Sequence, residues 1–155
     1  NQFAGAFGRK YERVSKYRTD DADIIFVTMG SMTGTARVAV DRMRERGKKA
    51  GLVKITVLRP FPFKELKEAL VNTKVVAVTE RAISLGYGGA IYGELAGHFV
   101  NDAKRPVLSS FIMGLGGRDI LPEQFDEIFA KGEKLIAGGK LEEFPEWAGL
   151  NREVL

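Results

Sequence analysis

The chain has 155 residues, a formal net charge of +4 and 45% hydrophobic residues, enough for one globular domain with a core of its own. It contains no cysteine, which excludes a disulfide, a thiolate-held iron–sulfur cluster and a cysteine zinc site within these residues. The single histidine, His98, cannot build a histidine-rich metal site, and the mildly basic charge is mixed with acid along RMRERGKK and KELKEAL with no nucleic-acid-binding signature beside it.

Residues 1–19 begin with Asn1 and the loop-like NQFAGAFGRK and carry Tyr11, Val14 and Tyr17. They predict a lead-in, a linker from a preceding domain in a fragment of a longer polypeptide. Ile24, Ile25, Phe26 and Val27 are apolar at consecutive positions, which predicts a strand covered on both faces. Gly30 ends it, and Ala36, Ala39, Val40 and Met43 then follow the i, i+3, i+4, i+7 spacing of an amphipathic helix that Gly47 closes. A second strand is expected over 50–60, where Val53, Ile55 and Val57 alternate with Lys54 and Thr56 before Pro60. Pro62 opens a short helix with Phe63, Leu66, Ala69 and Leu70 on its apolar stripe.

KVVAVTE, residues 74–80, predicts a third buried strand, followed by a helix with Ile91, Leu95 and Phe99 on one face. Gly89, Gly93 and Gly97 recur every fourth residue there. Each interior glycine costs a helix about 1 kcal/mol relative to alanine, so the ridge predicts a close approach by another helix or backbone, within the domain or across an interface. The alternative puts Gly89 in the turn and leaves only Gly93 and Gly97 helical. The fourth strand is expected over 106–116, ending in GLGGRD, and Pro122 opens a last helix through Phe125, Ile128, Phe129, Leu135 and Ile136 that Gly138 and Gly139 end. Residues 140–155 show no period and predict an extended tail that anchors Phe144 and Trp147.

Four strands alternating with four helices over 20–139 predict a three-layer, doubly wound, mostly parallel α/β sheet. In such sheets the loops at the strand C-termini carry function; here they are GSMTGT, RPFPF, ERAISLGYGG and GLGGRD. Ser31, Thr33 and Gly34 lie between a strand and a helix N-terminus and could cradle a phosphate, but the loop matches neither the dinucleotide fingerprint nor the P-loop. An ordinary turn with Ser31 or Thr33 as helix N-cap is the favoured account of it. Glu80 and Arg81 after the third strand, and Arg118 beside Asp119 after the fourth, could bind a ligand or work as an acid–base pair, or equally form structural ion pairs at the sheet rim. No nucleophile elbow or Ser/His/Asp order is present and His98 sits in mid-helix, so no catalytic residue is assigned. Ser31, Thr33, Gly34 and Arg118 are weak cofactor-contact candidates; Gly89, Gly93, Gly97, Glu80, Arg81 and Trp147 are interface candidates. No apolar run approaches the roughly 18 residues of a membrane span and no signal peptide is visible, so a cytoplasmic location is expected.

YRTDDADIIFVTMGSMTGTARVAVDRMRERGKKAGLVKITVLRPFP, then VVAVTERAISLGYGGAIYGEL and PVLSSFIMGLGGRDILPEQFDEIF, together resemble the second domain of the α subunit of pyruvate and related 2-oxoacid:ferredoxin oxidoreductases, a transketolase C-terminal-like domain. The resemblance spans about residues 9–130 and rests on the combination of D-x-D before a strand ending in GS, then LRPFP, then GLGGRD. Glu80-Arg81 stands where pyruvate-type members often carry Asp-Arg. The resemblance implies an enzyme that decarboxylates a 2-oxoacid, pyruvate first among candidates, on thiamine diphosphate with Mg2+, passes electrons through [4Fe–4S] clusters to ferredoxin, and releases acyl-CoA. It also implies that cofactors and clusters sit on other domains, leaving this chain a structural and assembly part of an oligomer, inactive alone. Two rivals stand beside it: a stand-alone CoA- or nucleotide-binding module using Gly30 to Thr35, and a domain of another transketolase-like thiamine enzyme.

Overall fold

The computed structural model describes residues 2–141 and 143–150. Among them, strands β1 (Val14–Tyr17), β2 (Ile24–Met29), β3 (Ala50–Ile55), β4 (Val75–Glu80), β5 (Val107–Met113) and β6 (Glu146–Ala148) form one sheet in the order β1-β3-β2-β4-β5-β6. Only β1 runs antiparallel to its neighbour; every other pair is parallel. Helices α2 (Met32–Glu45) and α5 (Pro122–Ile136) cover one face, and α3 (Phe63–Leu70) and α4 (Ala90–Phe99) the other. A short helix α1 (Gln2–Phe7) precedes the sheet and buries no residue.

The two-faced cover explains why the central strands are apolar at every position. On β2, Ile24 and Phe26 point into the α2/α5 layer while Ile25 and Val27 point into the α3/α4 layer; on β4, Val75 and Ala77 take the first and Val76 and Val78 the second. Ala36, Ala39, Val40 and Met43, the stripe expected on α2, are at most 1% exposed. Phe26 meets Phe125 edge-on at 5.3 Å between ring centroids, a favoured aromatic geometry.

The helix stops follow from glycine. Gly47 takes φ +75°, the Gly47 N–H donates to the Arg44 carbonyl at 3.0 Å and the Lys48 N–H to the Met43 carbonyl at 2.9 Å, a Schellman closure. Gly138, at φ +84°, and Gly139 close α5 in the same way on Leu135 and Lys134.

The sheet has two strands more than the sequence pattern predicts. Residues 14–17, expected within the lead-in, form β1 against β3, with Val14 paired to Ile55. Residues 146–148, expected as an extended tail, are extended but join the sheet as β6, with Trp147 opposite Ile112. Both are short edge strands whose stability comes from a preformed neighbour rather than from their own periodicity. The strands expected over 50–60 and 106–116 are shorter, ending at Ile55 and Met113.

Candidate functional site

The C-terminal edge of the parallel strands collects the loops singled out in the sequence. After β2, Gly30 turns at φ +75° and Ser31 occupies the α2 N-cap position without a side-chain capping bond. Thr33 does not cap the helix through its hydroxyl; that group hydrogen-bonds to the buried Thr28 hydroxyl at 3.0 Å. Gly34 faces open space. The loop therefore commits Thr33 inward to the strand and leaves Ser31 exposed at the helix entrance.

After β4, Glu80 and Arg81 part company. Glu80 is 4% exposed, and its carboxylate accepts the N–H of Ile91 at 2.8 Å and of Tyr92 at 3.1 Å, at the first turn of α4. A carboxylate there satisfies helix donors that have no intrahelical partner and complements the positive end of the helix dipole. Burial pushes the Glu80 carboxyl above the ordinary glutamate range, with the backbone N–H groups of Ile91, Tyr92 and Ala90 pulling the other way. Arg81 turns outward and donates from Nη2 to the Gly114 carbonyl at 3.2 Å, linking the β4–α4 loop to the β5–α5 loop.

The glycine series resolves into three situations. Gly89 is the N-cap of α4, with extended backbone (φ −76°, ψ 138°), so it belongs to the turn. A Cβ there would lie 1.8 Å from Glu80 Oε2; the close approach is made by a carboxylate. At Gly93 a Cβ would lie 2.8 Å from the Tyr87 ring, and at Gly97 it would meet nothing within 4 Å. Within the described residues, no second helix packs into the ridge.

After β5, Gly114, Gly116 and Gly117 all have positive φ, between +66° and +77°, around a 3-10 turn at Leu115–Gly117. Arg118 is exposed and lines a cleft of about 50 Å³ together with Trp147, Gly149 and the end of β5. Glu146 of β6 is 3% exposed and bonded to Lys131 of α5, which holds the last strand and Trp147 in place. His98 stacks on Phe63 with ring centroids 4.4 Å apart and on Phe61 at 5.4 Å, a packing role.

Leu85, Tyr87 and Phe144 were not marked by sequence reasoning as site residues, and they are 97%, 67% and 62% exposed, with Met29, Val57 and Leu121 less so at the same edge; Phe144, expected to be anchored by the tail, touches Tyr92 but stays largely exposed. The signal available was an apolar residue placed between turn glycines in SLGYGG, where no core position exists. Among the described residues, no cluster of three or more His, Cys, Asp or Glu side chains is assembled that could hold a metal ion, and no helix is long and apolar enough to cross a membrane.

The model of pyruvate:ferredoxin oxidoreductase core domain II matches residues 22–125. Pyruvate synthase subunit PorA of Pyrococcus abyssi is 45% identical over 154 residues, 99% of this chain and 39% of that protein. Ketoisovalerate oxidoreductase subunit VorA of the same organism is 40% identical over 97% of this chain and 38% of its own length. The chain thus spans about two fifths of the curated relatives it matches. Among solved structures, a split-gene transketolase superposes with a TM-score of 0.60 at 19% identity, covering 85% of this chain and 44% of that one. It shares the fold, as the doubly wound, transketolase C-terminal-like reading of the sequence expects. By the two-thirds of its length that the domain model covers, and by its identity to subunits of such enzymes, the chain belongs to the pyruvate:ferredoxin oxidoreductase core domain II family.

Proposed function

We propose that this chain is the second domain of the α subunit of a 2-oxoacid:ferredoxin oxidoreductase acting on pyruvate, and that it serves assembly while other domains carry the reacting atoms. The observation that carries this reading is the 45% identity over 99% of the chain to a pyruvate synthase subunit. The whole enzyme would use thiamine diphosphate with Mg2+, [4Fe–4S] clusters, CoA and ferredoxin in the cytoplasm, as an oligomer with thiamine-binding and cluster-bearing partner subunits.

The buried carboxylate at the strand ends, Glu80, does not fit the metal of thiamine diphosphate. Mg2+ on a diphosphate calls for carboxylate oxygens free to face it, and the buried carboxylate here, Glu80, spends both oxygens on the N–H groups of α4. No step of the reaction is therefore routed through this chain. Ser31, Gly34 and Arg118, exposed at the strand ends, remain the places where CoA could touch it, with Thr33 the weaker member because its hydroxyl is engaged.

The 40% identity to a ketoisovalerate oxidoreductase subunit supports a branched-chain 2-oxoacid as the second substrate reading. The test is CoA-dependent ferredoxin reduction by the full-length polypeptide assembled with its partner subunits, with pyruvate and 2-ketoisovalerate compared. Preference for pyruvate is expected; preference for 2-ketoisovalerate overturns the substrate, and an intact complex that turns over no 2-oxoacid overturns the function. The isolated chain is expected to be inactive and to show no micromolar CoA binding in titration.

A further inference from the structure

We propose that α4 is a conditionally ordered element: a helix weakened by glycine, held at its first turn by Glu80 and along one face by a clasp onto residues 59–67, so that α4 and the β3–α3 loop open and close as one unit.

α4 carries little stability of its own. It has ten residues, its N-cap is Gly89 with no side-chain capping bond, and Gly93 and Gly97 stand in its interior. A helix of that length is marginal without tertiary support, and interior glycines weaken it further. Gly93 leaves room for the Tyr87 ring, but around Gly97 there is open space. No neighbour demands a glycine at Gly97, and its effect is to loosen the helix. In place of a cap of its own, the first turn gives the Ile91 and Tyr92 N–H groups to the Glu80 carboxylate at the end of β4.

The second anchor is the clasp. Glu94 and His98 lie four residues apart on one face of α4, and Asp102 follows four residues later, just past its end. Each meets the same segment of chain. Arg59 puts Nη1 on Glu94 Oε2 at 3.0 Å and Nη2 on Glu94 Oε1. His98 stacks nearly parallel on both Phe61 and Phe63, and Lys67 Nζ donates to Asp102 Oδ1 at 2.6 Å. Phe63 also meets Phe99 edge-on at 5.3 Å between centroids. Exposed ion pairs contribute little singly, but contacts that share partners couple the segments that carry them. The turn at 84–88 belongs to the same unit, because Tyr87 rests on α4 at Gly93. The loops after β3 and β4, at the edge where the candidate residues gather, therefore take their positions from a helix that needs both anchors. Segments of this kind open locally, below the free energy of global unfolding.

The test is amide exchange of the full-length polypeptide, read by mass spectrometry with residue-level fragmentation. The Phe63 and Leu66 N–H groups, which donate to the Phe61 and Pro62 carbonyls at 2.9 and 3.0 Å, report the clasped segment. They should share one protection factor with the N–H groups of α4, lower than that of β2 and β4. Gly97→Ala, which meets no neighbour, should raise protection of α4 and of Phe63 and Leu66 alike, about two- to five-fold, the rate equivalent of the helix propensity gained. Glu80→Gln, at the other anchor, should lower both together. A gain confined to α4 overturns the proposal, since Arg13, which bonds Glu65 and the Pro60 carbonyl from the other side, would then govern the segment. Protection of α4 equal to that of β2 and β4 would mean that α4 opens only with the whole domain, and it also overturns the proposal. So does a gain at Phe63 and Leu66 that persists once His98→Ala and Glu94→Ala have removed the clasp.

Discussion

Glu80 shows how one residue decides the identity of another. Its carboxylate occupies the space a Cβ at Gly89 would need, 1.8 Å away, and it cannot swing aside without abandoning the Ile91 and Tyr92 N–H groups. Gly89→Ala should therefore cost about 3 kcal/mol, the scale of losing buried bonds to a charged acceptor. Gly97→Ala on the same helix, with open space around it, should gain about 0.5–1 kcal/mol from helix propensity. Denaturant unfolding of both variants checks the contrast; equal effects would mean that helix propensity, and not the carboxylate, governs the ridge. The same burial sets a pH dependence. Because the folded-state pKa of Glu80 lies above its unfolded value, its contribution is fully present below about pH 4.3, the ordinary glutamate value, and is lost as pH rises through the folded value. Relative to Glu80→Gln, which does not titrate, wild-type unfolding free energy should fall across that window; parallel curves would show that burial does not perturb the group.

At the scale of elements, α5 rides on β2 through a glycine. A Cβ at Gly132 would come within 2.8 Å of Ile24 Cδ1, and Ile24 is fully buried. Overpacking costs about 1–3 kcal/mol against about 1 kcal/mol gained from replacing a helical glycine, so Gly132→Ala should be net destabilising, seen as a lower urea midpoint with unchanged slope. Sequence alone shows the helix continuing across Gly132, but not why glycine is there, because the reason lies on a strand more than a hundred residues away. The same distinction separates what was legible from what was not. The buried strands and α2 could be read because both sides of each are covered and the pattern is local. β1 and β6 could not, because four polar-rich residues and the three-residue Glu-Trp-Ala segment become strands only when β3 and β5 offer a ladder. At the candidate site, Glu80, Arg81, Arg118 and Trp147 were visible as residues; Glu80 turns inward because it ends β4 on the same face as Val76 and Val78, and that its carboxylate finds the N–H groups of α4 there depends on a helix placed by the loop that follows.

Across the whole molecule, pairing and burial fall off from the middle of the sheet to its rim. β2 and β4 are hydrogen-bonded on both sides and their residues are nearly all buried. β1 and β6 are short edges, and α1, with Phe3 tilted against Phe7 and edge-on to Tyr11 but no buried residue, lies outside the core. Local opening free energy follows buried contact and shielded hydrogen bonds. Amide exchange by mass spectrometry should therefore find β2 and β4 exchanging only through global unfolding, β1 and β6 through sub-global opening, and α1 fastest of all.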